Sequence, residues 1–257
     1  PPRNHRGRCD IGAGRCGISG AVSWRDFMCV TGLIRNWVFW IVMGGWLSTA
    51  AVMAQSQSNP PEPDLQTVIA GVEARYDVPG FTADFYQIST IKAMQISDEA
   101  RGRMFVRKPQ MMRWEYEQPE PQVIITNGTR LWIYRPEDNQ VIIGRSPAFF
   151  GDGKGAGFLA DIRVLRRKFD ITFADKEEPG FYVLKLSPLE QTIEVAAIDL
   201  YVRESDYAVQ RVVTYNPYGD ETRIDLFNSQ FGLVPEPDLF TFTIPEGTDV
   251  VTMDEQG

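Results

Sequence analysis

Between Gly102 and Tyr134, short runs place large apolar side chains at every second position. Met104, Val106 and Lys108 share one face of an extended strand, because strand side chains alternate with period two. Pro109 ends that strand, since it has no N–H for a ladder. Met112, Trp114 and Tyr116 then place bulky groups on one face, with Arg113, Glu115 and Glu117 on the other. Beyond Pro119 and Pro121, Asn127-Gly128 is a two-residue turn signal between the arms Val123–Thr126 and Thr129–Tyr134. Alternation and turn residues predict further strands at Phe81–Ile91, Ala100–Lys108, Met111–Glu117 and Gln140–Arg145. A second series follows at Phe169–Asp175, Phe181–Ser187, Ile193–Arg203, Ala208–Tyr215 and Glu221–Phe227. No helical pattern interrupts the first series, so the pairing is expected to be antiparallel.

The period becomes helical in two places. Asp64 is a plausible N-cap, and Leu65, Val68, Ile69, Val72 and Tyr76 form one stripe that Pro79-Gly80 stops. Phe158, Ile162, Leu165 and Phe169, with Leu159 beside them, form the second stripe. Arg166, Arg167 and Lys168 close it, where cations suit the helix dipole. The preceding Gly151–Gly157 stretch has no Gly-Lys-Ser/Thr and is read as a hinge, not a phosphate loop. The expected fold is mainly β (α+β), about eleven antiparallel strands with two to three helices, and a sheet of that size tends to curl.

The N-terminal part reads differently. Residues 1–27 lack periodicity and are read as upstream of the true start at Met28. Residues 28–54 resemble a signal peptide: Arg35, the apolar run Trp37–Leu47, then small residues ending at Ala54. Residues 55–63 form a polar arm, and 64–257 a single domain. All three Cys (Cys9, Cys16, Cys29) and the only His, His5, precede Gln55. Disulfides, Cys/His metal sites and His- or Cys-dependent catalysis are thereby excluded from the mature chain. Six Arg and two Asp go with the leader, leaving 20 cations against 32 anions, net −12. Binding of nucleic acid through bulk charge is not expected.

Arg107-Lys108-Pro109, then Arg113-Trp114-Glu115-Tyr116, Pro119, Asn127-Gly128 and Leu131-Trp132-Ile133-Tyr134 together resemble the LolA family of periplasmic lipoprotein carriers. Pro237–Gly247 is similar to that family's closing pattern. The resemblance implies an incomplete barrel with helices closing its open side. It implies a lipid-facing wall of Phe85, Met104, Val106, Met112, Trp114, Tyr116, Ile125, Leu131 and Ile133. The lid would be Leu65, Val68, Ile69 and Val72 with Phe158, Leu159, Ile162 and Leu165. Its latch position, an Arg in the family, is Lys108 here, which offers a point charge without the bidentate fork. The implied partners are acylated lipoproteins, an inner-membrane lipoprotein-releasing ABC transporter and an outer-membrane lipoprotein receptor. The protein would act as a periplasmic monomer, with no cofactor and no metal.

The physical need is clear. Burying each CH₂ gives about 0.8 kcal/mol, so an acyl chain of ~16 carbons gains ~12 kcal/mol from shelter. Adaptable walls suit such cargo, and Met94, Met104, Met111 and Met112 supply flexible side chains. Asp84, Asp98, Glu99, Asp161 and Asp199 offer no spacing that singles out a catalytic pair. A lipid-sensing regulatory domain and a carrier of another lipid are the alternatives on the same fold.

Overall fold

A computed structural model describes residues 63–146, 154–190 and 192–253. The leader over 1–54, nearly all of the arm, and Gly151–Gly153 of the glycine-rich stretch lie outside these. Helix α1, Leu65–Arg75, opens the described chain, with the Asp64 carboxylate accepting from the Thr67 N–H at 2.8 Å. Six strands follow: β1 Gly80–Ile91, β2 Ile96–Arg107, β3 Met111–Gln118, β4 Gln122–Asn127, β5 Arg130–Arg135 and β6 Gln140–Arg145. A 3-10 helix, Lys154–Ala160, and a short helix α2, Val164–Lys168, come next. Then come β7 Phe169–Phe173, β8 Phe181–Pro188, β9 Ala197–Arg203, β10 Val209–Tyr215 and β11 Glu221–Phe231. A second 3-10 helix, Pro237–Phe240, and β12, Asp249–Thr252, end it.

The strands make one open, curled sheet of 12 in the order β12-β6-β5-β4-β3-β2-β1-β11-β10-β9-β8-β7. Pairing is antiparallel except for β12, which runs parallel to β6. That strand is the one the sequence pattern did not predict. Its four residues are all exposed, so they carry no alternation to read.

Three other expectations change. The hairpin turn sits at Gly128–Thr129, one residue later than expected, because Thr126 pairs with Leu131. Gly128 takes φ +91°, and the Asn127 carboxamide oxygen accepts from the N–H groups of Thr129 and Arg130. The second apolar stripe is not one helix: it divides between the 3-10 helix and α2, and Phe169 begins β7. Ile193, expected in a strand, is exposed ahead of β9.

Gly102 is required by packing. A Cβ there would fall 1.8 Å from the Glu115 carbonyl oxygen and 3.0 Å from the Phe85 ring. The missing side chain leaves room for Phe85 to pack edge-on against Trp114 and Tyr116, with centroids 4.8 and 4.9 Å apart. We expect Gly102→Ala to push β2 from β3 and lower the melting temperature by ~3–10 °C, as overpacking of about 1–3 kcal/mol does in a domain of this size. Thermal unfolding followed by circular dichroism measures this, and an unchanged midpoint would show that the strands yield without strain.

Candidate functional site

Register decides which side chains share the concave face. Met104 lies opposite Trp114, Val106 opposite Met112 and Gly102 opposite Tyr116. Phe85 lies opposite Gly102 on the other flank. Directly opposed residues point to the same side of a sheet. Phe85, Met104, Val106, Met112 and Trp114 are buried in one cluster, with Tyr116 packed against it. Leu131 and Ile133 join this face through Thr126 and Ile124, which lie opposite Met112 and Trp114. Ile125 does not. It lies opposite Arg113 and Trp132, and it is buried on the outer face with Trp132 and Val141 beneath Phe242 and Ile244. Ile125 is therefore removed from the wall. Val123 to Thr126 is apolar on both faces, so periodicity alone could not orient it.

The expected lid residues do converge on this face. Val68, Ile69 and Val72 of α1 share the cluster with Phe158, Leu159, Ile162 and Leu165, and Leu65 packs at its edge. The two parts of the cover are held differently. Gly71 of α1 meets Tyr207, whose ring would sit 2.5 Å from an added Cβ. The Tyr76 hydroxyl accepts from the Val209 N–H at 3.2 Å, and its ring packs edge-on against Phe81 and Phe231. Arg75 stacks over Phe231 and pairs with Asp206. Thus α1 is pinned to the β9–β11 half of the sheet. The 154–168 segment is tied to α1 by Arg166, which forks onto Glu73 at 2.6 and 3.2 Å and reaches Gln66 at 2.7 Å. Where this segment crosses β3 and β4 a cavity of about 190 Å³ remains, bordered by Gln110, Met112, Thr126, Ser146, Phe158 and Val164.

A family model described as outer membrane lipoprotein carrier protein LolA matches residues 77–243. The chain belongs to the LolA family. It is similar to the outer-membrane lipoprotein carrier protein of Chromobacterium violaceum, 29% identical over 210 residues that cover 80% of this chain and 96% of that one. The protein of the same description from Alkalilimnicola ehrlichii is 29% identical over 180 residues, 69% of this chain and 81% of that one. Among solved structures, a LolA superfamily protein from Nitrosomonas europaea matches at 14% identity and a TM-score of 0.39, over 70% of this chain and 99% of that one.

Lys108-Pro109, where Lys108 stands in place of the family's Arg, lies just past β2. The Lys108 ammonium reaches the Asp77 carboxylate at 3.4 Å, and Arg163, just before α2, reaches the same oxygen at 3.5 Å. Asp77 is 65% exposed and Lys108 34%. Lys108 therefore touches the residue behind α1, is half-buried, and does not border the cavity. Exposed pairs of this kind contribute only about 0–1 kcal/mol.

The concave face also carries polar groups that the alternation argument treats simply as bulk. The Tyr116 hydroxyl donates to the Gln87 amide oxygen at 3.1 Å, and Gln87 donates to Ser89 at 3.1 Å. The Trp114 indole N–H is buried with no hydrogen-bond partner among the described residues. Burial pushes the Tyr116 phenol up to about 12 from its ordinary 10. Its acid form is favoured in the fold, so that contribution is intact below pH 10 and is lost as pH rises through about 12. Stability should fall across this window, and Tyr116→Phe should flatten the fall. Urea unfolding midpoints at pH 9 to 12 measure it; an equally steep decline in the variant would assign alkaline sensitivity to other groups.

Proposed function

We propose that this LolA-family chain is a periplasmic carrier that shelters the acyl chains of lipoproteins. It takes them from an inner-membrane lipoprotein-releasing ABC transporter and delivers them to an outer-membrane lipoprotein receptor, acting as a monomer. The observation that carries the proposal is the concave apolar face beneath a cover whose two parts are unequally held. The names borne by the curated relatives support the same cargo, and the signal-like residues 28–54 support the compartment.

A cavity of about 190 Å³ is smaller than the roughly 300–1,000 Å³ typical of ligand sites, so acyl chains need more room than the closed form offers. The 154–168 segment is the part that yields, because its side-chain ties to the α1 end are exposed ones, the Arg166 fork onto Glu73 and the Arg163–Asp77 pair, and the remainder is largely apolar contact. When Phe158 and Leu159 withdraw, acyl carbons take over their contacts with Met104, Met112 and Trp114. One apolar surface replaces another, so loading is driven only by the surplus of acyl burial over lid burial. That small surplus suits a carrier that must also release its cargo.

Two variants on neighbouring residues test the wall. Met112 is buried beside the cavity, whereas Met111 lies opposite Asn127 with its side chain on the other face. Met112→Glu places a carboxylate where acyl chains pack, an expensive burial. It should reduce transfer of a purified lipoprotein by at least ~10-fold, while Met111→Glu changes it by less than about 2-fold. Equal transfer by both variants at wild-type melting temperatures would sink the assignment of this face. Mass spectrometry of material co-purifying with the protein distinguishes the cargo: free phospholipid in place of acylated protein would make this a carrier of another lipid.

The Lys108–Asp77 contact is proposed as a weak latch of the empty form. Losing it favours the loaded form by linkage. Lys108→Leu should bind an acylated peptide up to ~5-fold more tightly and transfer it more slowly, the range an exposed ion pair allows. Wild-type affinity and transfer rate would remove Lys108 from the mechanism.

A further inference from the structure

We propose that the Trp114 indole N–H, beside the Tyr116–Gln87 pair on the same face, is a hydrogen-bond donor for the carbonyl oxygen of a bound acyl group. The proposal rests on the carrier function above and adds a polar subsite to a wall otherwise read as apolar. Trp114 is 3% exposed. It packs edge-on against Phe85 and lies opposite Met104, within a buried cluster that also holds Met112 and Phe158. None of these side chains offers a good acceptor, and the indole nitrogen has no partner among the described residues.

Leaving a buried donor unpaired is costly, so nearly all such groups in folded proteins find an acceptor. Packing alone does not explain a tryptophan here, since phenylalanine would fill much of the space without an orphaned N–H. Two residues along, the only phenol on this strand is already engaged: the Tyr116 hydroxyl donates to Gln87, which donates onward to Ser89. Tyr116 opposes Gly102, and Phe85 packs edge-on against both Trp114 and Tyr116. Along β3 the face passes from Met112, beside Thr126 and the cavity, through one free donor at Trp114, to a satisfied polar chain at Tyr116, Gln87 and Ser89. An acyl group carries one carbonyl acceptor between its hydrocarbon tail and its polar attachment. Laid along β3 with its tail at the Met112 cavity, it brings its carbonyl to Trp114. Ester and amide carbonyls share this chemistry, and alkyl ethers lack it.

The test uses three detergents with 12-carbon chains: dodecanoyl sucrose (an ester), dodecanoyl-N-methylglucamide (an amide) and dodecyl maltoside (no carbonyl). Dissociation constants are measured below the micellar range on the full chain and on Trp114→Phe. The wild type should bind the two carbonyl ligands about 5- to 10-fold more tightly relative to dodecyl maltoside than the variant does, a ratio that cancels head-group differences. Dodecyl maltoside itself should bind both proteins within about 2-fold. An advantage confined to the ester or to the amide identifies which linkage is read. In parallel, the Trp114 indole resonance of the ¹⁵N-labelled wild type should move downfield with the carbonyl ligands and not with dodecyl maltoside, a readout that holds even if the variant folds poorly. Equal ratios in the two proteins, or an indole resonance that responds alike to all three ligands, overturns the proposal while leaving acyl binding intact. Failure of the wild type to bind any of the three overturns the carrier function and this subsite together.

Discussion

One constraint organises this molecule: a broad sheet with one apolar face must have that face covered. Twelve strands at about 4.8 Å spacing would span roughly 50 Å if flat. Helix α1, with 11 residues, is only about 16 Å long. No single helix of that length covers such a surface, so the sheet curls and a second segment completes the cover. The two parts of that cover are not equivalent. Helix α1 is fixed by Gly71 against Tyr207, by Tyr76 and by Arg75, all on the β9–β11 half. The 154–168 segment runs across the concave face from β10 and β11 to β2 and β3, and the cavity remains beside β3.

The outer face is dealt with by other means. On the β3–β6 half the C-terminal chain lies against it, with Arg107 donating to the Pro235 carbonyl and Arg113 to the Leu239 carbonyl, at 2.7 and 3.1 Å. Phe242 and Ile244 then cover Ile125 and Trp132, and β12 extends the sheet beyond β6. On the β8–β11 half, ion pairs take over. Arg211 reaches both Asp225 and Glu178, and Lys176 meets the buried Asp199 carboxylate at 2.6 Å. These groups hold the outer surface in a defined arrangement.

Most of the fold was legible because the controlling signals are local. Period-two alternation at Met112, Trp114 and Tyr116 named the inward face of β3 correctly, and Met111 and Met112 fell on opposite sides as parity requires. The Asp64 cap and the α1 stripe were equally readable. The failures share a cause, which is dependence on distant partners. Ile125 looks like wall because Val123 to Thr126 has no polar face, and only the tail carrying Phe242 and Ile244 makes its outer side apolar. The second stripe looks like one helix because its spacing is helical, yet Phe169 belongs to a ladder with Pro188. Strand β12 exists through pairing with β6, a contact that four exposed residues cannot announce.

The cover is held by contacts of different reach, and that difference sets how a carrier can exchange cargo. Exposed ion pairs such as Lys108–Asp77 and Arg163–Asp77 contribute little each and weaken with salt. Apolar contact between Phe158 or Leu159 and the wall contributes more, at about 25 cal/mol per Å² removed from water. An incoming acyl chain replaces that apolar contact almost in kind, but it does not replace the ion pairs. In the proposed carrier function, closing and loading would thus be governed by different terms: the apolar term would set whether cargo enters, and the weak charged contacts how readily the empty form closes. A wall made only of aliphatic groups would hold any hydrocarbon in any register. One donor at Trp114, left unpaired on the concave wall, is what the proposed subsite would use to give an acyl chain a direction along β3.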